Sequence, residues 1–190
     1  MGTAQDERMA AAQLPQGDIV ALLLEQHARI RDLFTQVKNS QGEARQQAFD
    51  GLRALLAVHE AAEELVVRPV AKKTAGEGEA EARNHEEAEA TKVLKQLEGM
   101  DLSSPDFERL IAEFEQAVSD HADHEEAEEF PALVAQCSQE QRRTMGERLS
   151  KVEHLAPTHP HPTAAGKPAA LALTGPFAAM MDKARDAMRS

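Results

Sequence analysis

Apolar positions recur at alternating intervals of three and four over four long stretches, each ending in helix-breaking residues. In the first, about Asp18 to Val37, Leu23, His27, Ile30, Phe34 and Val37 step by four, three, four and three. Asp18 suits an N-cap there, and Asn39-Ser40-Gln41-Gly42 a stop. The second, near Glu43 to Lys73, carries Phe49, Leu52, Leu56, His59, Glu63, Val66 and Val70 in the same rhythm and ends before Ala75-Gly76-Glu77-Gly78. The third, roughly Glu79 to Glu98, is less regular; His85, Glu89 and Val93 share a face, and Gly99 stops it. The fourth opens at Ser104-Pro105, an N-cap followed by proline at the first helical position, and continues to about Gln136. Its seam reads Phe107, Leu110, Phe114, Ala117, His121, His124 and Glu128, and Pro131 is expected to kink or fray its last turns. This alternation marks the inward stripe of a bundled helix. Short polar breaks between the stretches predict an all-α, up-down-up-down four-helix bundle over residues 18–136, with a C-terminal helical extension.

The flanks carry weaker signals. Residues 1–17 read as a flexible segment and 137–155 as an extra helix. Residues 156–176 form a Pro- and Ala-rich linker that cannot be regular helix. Residues 177–190 read as a short amphipathic helix, with Phe177, Met180, Met181 and Met188 on or near one side, packing back on the domain. Composition agrees with the helical reading, since strong helix formers dominate and Tyr and Trp are absent. The net charge of -12 argues against nucleic acid and anionic membranes as partners. No apolar run is long enough to cross a bilayer, and the N-terminus lacks the order of a signal peptide. A single cysteine, Cys137, fits a reducing compartment, and the expectation is a cytoplasmic protein.

What interrupts the apolar seams is chemistry. His59-Glu60-Ala61-Ala62-Glu63-Glu64-Leu65 matches His124-Glu125-Glu126-Ala127-Glu128-Glu129-Phe130, and each copy follows a helix with its own histidine, His27 or His85. The unit is a helix with His, then a helix with His-x-x-x-Glu, used twice. His121-x-x-x-Glu125 has the same spacing, but this alignment sets His121 against the core residue Leu56, so His124 and Glu128 are read as the pair. At ~1.5 Å per residue the four histidines lie at similar depths in an up-down bundle. Buried imidazoles and carboxylates without partners cost several kcal/mol, so His27, His59, Glu63, His85, His124 and Glu128 are candidate ligands of one metal ion or two. Glu89, His121 and Glu60 are further candidates, with His121 favoured as a hydrogen-bonding neighbour of a ligand. Imidazole serves Zn, Cu, Fe and Ni, and bridging carboxylates favour a pair of iron or manganese ions.

The order His27, His59-x-x-x-Glu63, His85, His124-x-x-x-Glu128, followed by Phe130-Pro131, resembles the hemerythrin-like, or HHE cation-binding, family over roughly Asp18 to Gln136. That resemblance implies a four-helix bundle around two non-haem iron ions bridged by carboxylates, with room for an oxo bridge. One iron would take His27 and His59 and the other His85 and His124, with Glu63 and Glu128 bridging. Oxygen-carrying hemerythrins supply a further histidine where this chain has Glu89, which implies a harder site less suited to reversible O2 carriage. The implied ligand is a small oxidant (O2, peroxide or nitric oxide), and peroxide decomposition is the enzymatic version. An iron or redox sensor signalling through the C-terminal helix is the alternative, and a metal-free helical interaction module the remaining rival.

Overall fold

Asp18 starts the first long helix in the computed structural model, accepting from the Val20 N–H at 3.1 Å and from Arg142 Nε at 2.7 Å. The structure describes residues 2–74 and 77–155, with 179, 180, 182, 183 and 186. Helices α1 (Ala4–Ala11), α2 (Ile19–Asn39), α3 (Gly42–Ala62), α4 (Arg68–Thr74), α5 (Glu77–Leu97), α6 (Pro105–His124), α7 (Phe130–Gln136) and α8 (Gln139–Leu155) follow in order. Single π turns, Glu63–Val67 and Glu125–Glu129, join α3 to α4 and α6 to α7. Four rods result: α2, α3–α4, α5 and α6–α7, with α1 and α8 packed against the bundle. Among the described residues there is no strand and no helix long and apolar enough to cross a membrane.

Residues 4–11, expected within a flexible segment, are helical because Thr3 and Asp6 form a reciprocal capping box. Sequence reading missed α1 because eight residues are too few to show a hydrophobic period. The extra helix expected over 137–155 is α8. The linker expected over 156–176 lies outside the described residues, as does most of 177–190; Met180 is buried against the core.

Proline accounts for the π turns. Pro69 and Pro131 have no N–H to give the carbonyl four residues back, and their rings crowd it. The helix accommodates this by widening one turn: Arg68 N–H bonds Glu63 O, and Phe130 N–H bonds Glu125 O, each five residues back. The fraying expected at Pro131 is replaced by a continuous rod with one wide turn.

The apolar core falls into two clusters. Ile30, Phe34, Leu52, Leu94, Phe107 and Phe114 anchor one, and Leu23, Val66, Phe130, Leu133 and Leu149 the other. Along α2 and α6–α7 the residues between the clusters are His27, His121 and Glu125, so a polar layer separates two greasy ones.

Gly17, at φ 78°, turns the chain into α2, and α8 crosses that turn at Gly146. A Cβ on Gly146 would collide with the Gly17 carbonyl, which cannot swing away. Gly146→Ala is therefore expected to cost ~1–3 kcal/mol, seen as a lowered urea midpoint with unchanged slope.

Candidate metal centre

His59 and Glu63 stand one turn apart at the α3 end, and His121 and Glu125 repeat them at the α6 end. His59 Nδ1 lies 2.9 Å from Gln26 Oε1, and His121 Nδ1 lies 2.9 Å from Glu86 Oε2. An acceptor at each Nδ1 leaves each Nε2 as the atom a metal ion can take once that nitrogen is free of its proton. It faces the carboxylate one turn on: His59 Nε2 is 3.3 Å from Glu63 Oε1, and His121 Nε2 is 3.3 Å from Glu125 Oε1. His27 obeys the same rule, with Nδ1 2.8 Å from Glu126 Oε1 and Nε2 3.4 Å from Glu125 Oε2.

Donor atoms of His27, His59, Glu63 and Glu125 lie within 4.8 Å of one another, as do those of Glu63, Glu87, His121 and Glu125. Glu63 and Glu125, each 1% exposed, belong to both sets. Among the described residues, His27 Nε2, both Glu63 oxygens and Glu125 Oε2 have no hydrogen-bond partner. Leaving such groups bare costs ~1–3 kcal/mol each, more when charged, and a cation between them removes that cost. The residues present fit a metal.

Of the ligands expected from the sequence, the structure brings together His27, His59 and Glu63. His85, His124 and Glu128 are exposed and outside both donor sets. In the second copy the structure brings His121 and Glu125 into the donor sets, one turn before the expected His124 and Glu128. The physical reason is the proline-driven π turn: Pro69 follows Glu63 by six residues and Pro131 follows Glu125 by six, so the copies align as His-x-x-x-Glu-Glu with a shared proline. Glu89 is exposed and paired with Lys92 at 2.6 Å. Glu60 sits at the edge of the centre, hydrogen-bonded to Glu87.

Sequence reasoning missed Glu87, although its signal was there. Arg83, Glu87, Ala90, Leu94 and Leu97 step by four, three, four and three along α5. Charged residues at the head of that seam disguised it.

A profile of the family described as Hemerythrin HHE cation binding domain matches residues 18–133. The chain belongs to that family. Against an uncharacterized hemerythrin-like protein of Schizosaccharomyces pombe it is 34% identical over 70% of this chain and 67% of that one. A Nostoc protein named DNA nickase is 29% identical over 60% of this chain, which spans only 33% of that protein. The crystal structure of a hemerythrin HHE cation binding domain-containing protein from Mycobacterium kansasii shares the fold at TM-score 0.68, with 20% identity over 90% of this chain and 99% of that one.

In this hemerythrin-like chain, Arg68 is the buried cation of the centre. It pairs with Glu87, with Glu129 at 2.7 Å and with Glu125 at 3.8 Å. Burial raises Glu87 to about 10, and crowding by Glu60 and Glu63 adds to it. Burial likewise lifts Glu60 and Glu129 to about 7. Burial opposes a charged His27, but the neighbouring Glu125 carboxylate and the hydrogen bond to Glu126 outweigh it and bring the ring to about 9. His121 is raised against the same opposition, chiefly by Glu125. Glu125 is driven low by His121 and His27 despite burial, and burial lowers His59.

These shifts set the pH response of the metal-free chain. Glu60, Glu87, Glu129, His27 and His121 hold protons more tightly folded than unfolded, so their contribution is lost as pH rises towards about 10. Glu125 and His59 act oppositely, and their contribution is lost towards acid pH. Between about pH 6 and pH 9 the raised groups dominate, and the metal-free melting temperature should fall. Metal must displace those protons, so uptake should strengthen over the same range. A metal-free melting temperature that rises with pH would contradict this assignment.

Proposed function

We propose that the chain binds two iron ions in this His/Glu layer and admits a small oxidant, O2, peroxide or nitric oxide, from the cavity beside it. One observation carries the reading: two four-residue donor sets share Glu63 and Glu125 beside a cavity of about 50 Å³. That volume holds only a few heavy atoms. His27, His59, Glu60, Glu63, Glu87 and His121 line its polar side, whereas Leu56, Leu94 and Phe114 line the other. An apolar wall suits a diatomic or peroxide and disfavours ions.

Iron bound here would supply Lewis acidity and one-electron redox chemistry. The chain's residues do the rest. Gln26, Glu86 and Glu126 hold the Nδ1 atoms of His59, His121 and His27, fixing ring orientation and tautomer. Glu63 and Glu125 place negative charge between the two donor sets, and the Glu60–Glu87 hydrogen bond keeps a proton at the cavity edge. Phe130, stacked on His27 at 5.5 Å, closes the layer towards α7 and excludes water.

Anaerobic addition of iron(II), followed by nitric oxide or peroxide, should produce a new visible absorption. An unchanged spectrum in protein shown to hold iron would refute ligand binding. Oxygen release from peroxide, followed with an electrode, tests the enzymatic version.

The alternative of an iron or redox sensor gains support from Met180, which is buried against the core and ties the C-terminal segment to the bundle. Removing residues from Leu155 onward should then change the melting temperature differently with and without iron. The net charge of -12 supports a chain without a nucleic-acid partner, and the lone Cys137 supports a reducing, cytoplasmic setting.

A further inference from the structure

The two halves of the centre are related by an internal repeat, yet they are not chemically equal. In the first half Gln26 and His27 sit on α2; in the second Glu86 and Glu87 hold the same places on α5. Gln26 and Glu86 do the same work, each holding the Nδ1 of a His-x-x-x-Glu histidine at 2.9 Å. The next residue is where the halves part. His27 offers an imidazole nitrogen to the first donor set, and Glu87 offers a carboxylate to the second.

With Glu63 and Glu125 common to both, the first set has two nitrogens and two carboxylates, and the second one nitrogen and three carboxylates. Glu60, hydrogen-bonded to Glu87, adds more oxygen character on that side. Arg68 adds a second inequality. Its guanidinium is bonded to Glu87 and Glu129 and lies 3.8 Å from Glu125, so an ion entering the second set must share these carboxylates with a resident cation. Among the described residues, neither His27 nor His59 is paired with an arginine or lysine.

Nitrogen-rich sets gain affinity steeply along the divalent series, whereas carboxylate-rich sets discriminate less and accommodate manganese. We propose that the two positions load in order and with different preference. The His27/His59 position fills first and selects iron. The Glu87/His121 position fills later and accepts manganese, so that iron and manganese supplied together assemble as a mixed pair. This rests on the two-metal reading above and goes beyond it by separating the two positions.

The test is an anaerobic titration of the metal-free full chain with iron(II), with manganese(II), and with one equivalent of each per chain supplied together. Metal content after desalting and electron paramagnetic resonance of the mixed sample serve as readouts. Iron(II) should bind in two steps separated by about tenfold or more in Kd. The mixture should leave close to one iron and one manganese per chain, with a spin-coupled signal. Glu87→His equalises the donor sets and should merge the two steps and abolish manganese retention. Glu87→Gln, which keeps the side chain's shape, should retain the first equivalent and weaken the second; helical circular dichroism shows that each variant is folded. Two equal iron steps with no retained manganese would overturn the inference and leave the two-metal reading intact. Binding of neither metal would overturn both.

Discussion

Replacing His121 by alanine should weaken binding of the second metal ion by more than about 100-fold, whereas His124→Ala should leave both ions bound. The contrast follows from which imidazole faces the carboxylates. His121 Nε2 lies 3.3 Å from Glu125 Oε1 and 3.8 Å from Glu63 Oε2, in the buried layer. The His124 side chain is 49% exposed, and its Nδ1 lies 3.2 Å from Glu86 Oε1. Metal content of the two variants, measured after identical iron loading and desalting, decides between them. Loss of metal in His124→Ala with retention in His121→Ala would reinstate the His124/Glu128 register.

Arg68→Met should destabilise the metal-free chain by ~3 kcal/mol at neutral pH, because removing one partner of a buried ion-pair network leaves the others uncompensated. Arg68 is 4% exposed and is the shared partner of Glu87 and Glu129. The loss should shrink at lower pH, where Glu129, raised to about 7, takes up its proton; Glu87, raised to about 10, already holds one at neutral pH. It should shrink again when metal is bound, since the ions then supply the missing positive charge. Urea melts of variant and parent, metal-free and loaded, give the four numbers needed. An equal loss in both states would mean that Arg68 supports the fold without bearing on the centre.

Much of the fold was legible in the sequence because the apolar seams and their stops are strong signals. Ser104-Pro105 begins α6 as expected, and Asn39 ends α2 within two residues of the expected Val37. Half of the centre was equally legible: His27, His59 and Glu63 interrupt regular stripes, so their inward direction followed from their neighbours. The second half was ambiguous in a specific way. His121 and His124 are each four residues before a glutamate, and one helical turn separates the two registers. Local similarity of His124-Glu125-Glu126-Ala127 to His59-Glu60-Ala61-Ala62 pointed to the register that the structure leaves outside the donor sets. Pro69 and Pro131 carry the better signal, since a proline fixes the phase of the turn before it more firmly than a glutamate-rich surface does. Along α6, Phe107 and Phe114 are buried as expected, joined by Ile111, whereas Leu110 is half-buried and Ala117 exposed. Helix α5 concealed Glu87 because its seam begins with charged residues, the usual sign of a solvated face.

The centre as a whole is most directly tested by diffraction from iron-loaded crystals, with anomalous differences recorded at the iron edge. Two peaks should appear between the Glu63 and Glu125 carboxylates, one beside His27 and His59 and the other beside Glu87 and His121. Peaks at His85, His124 or Glu128, or an iron-loaded crystal with no peak in the buried layer, would contradict the account.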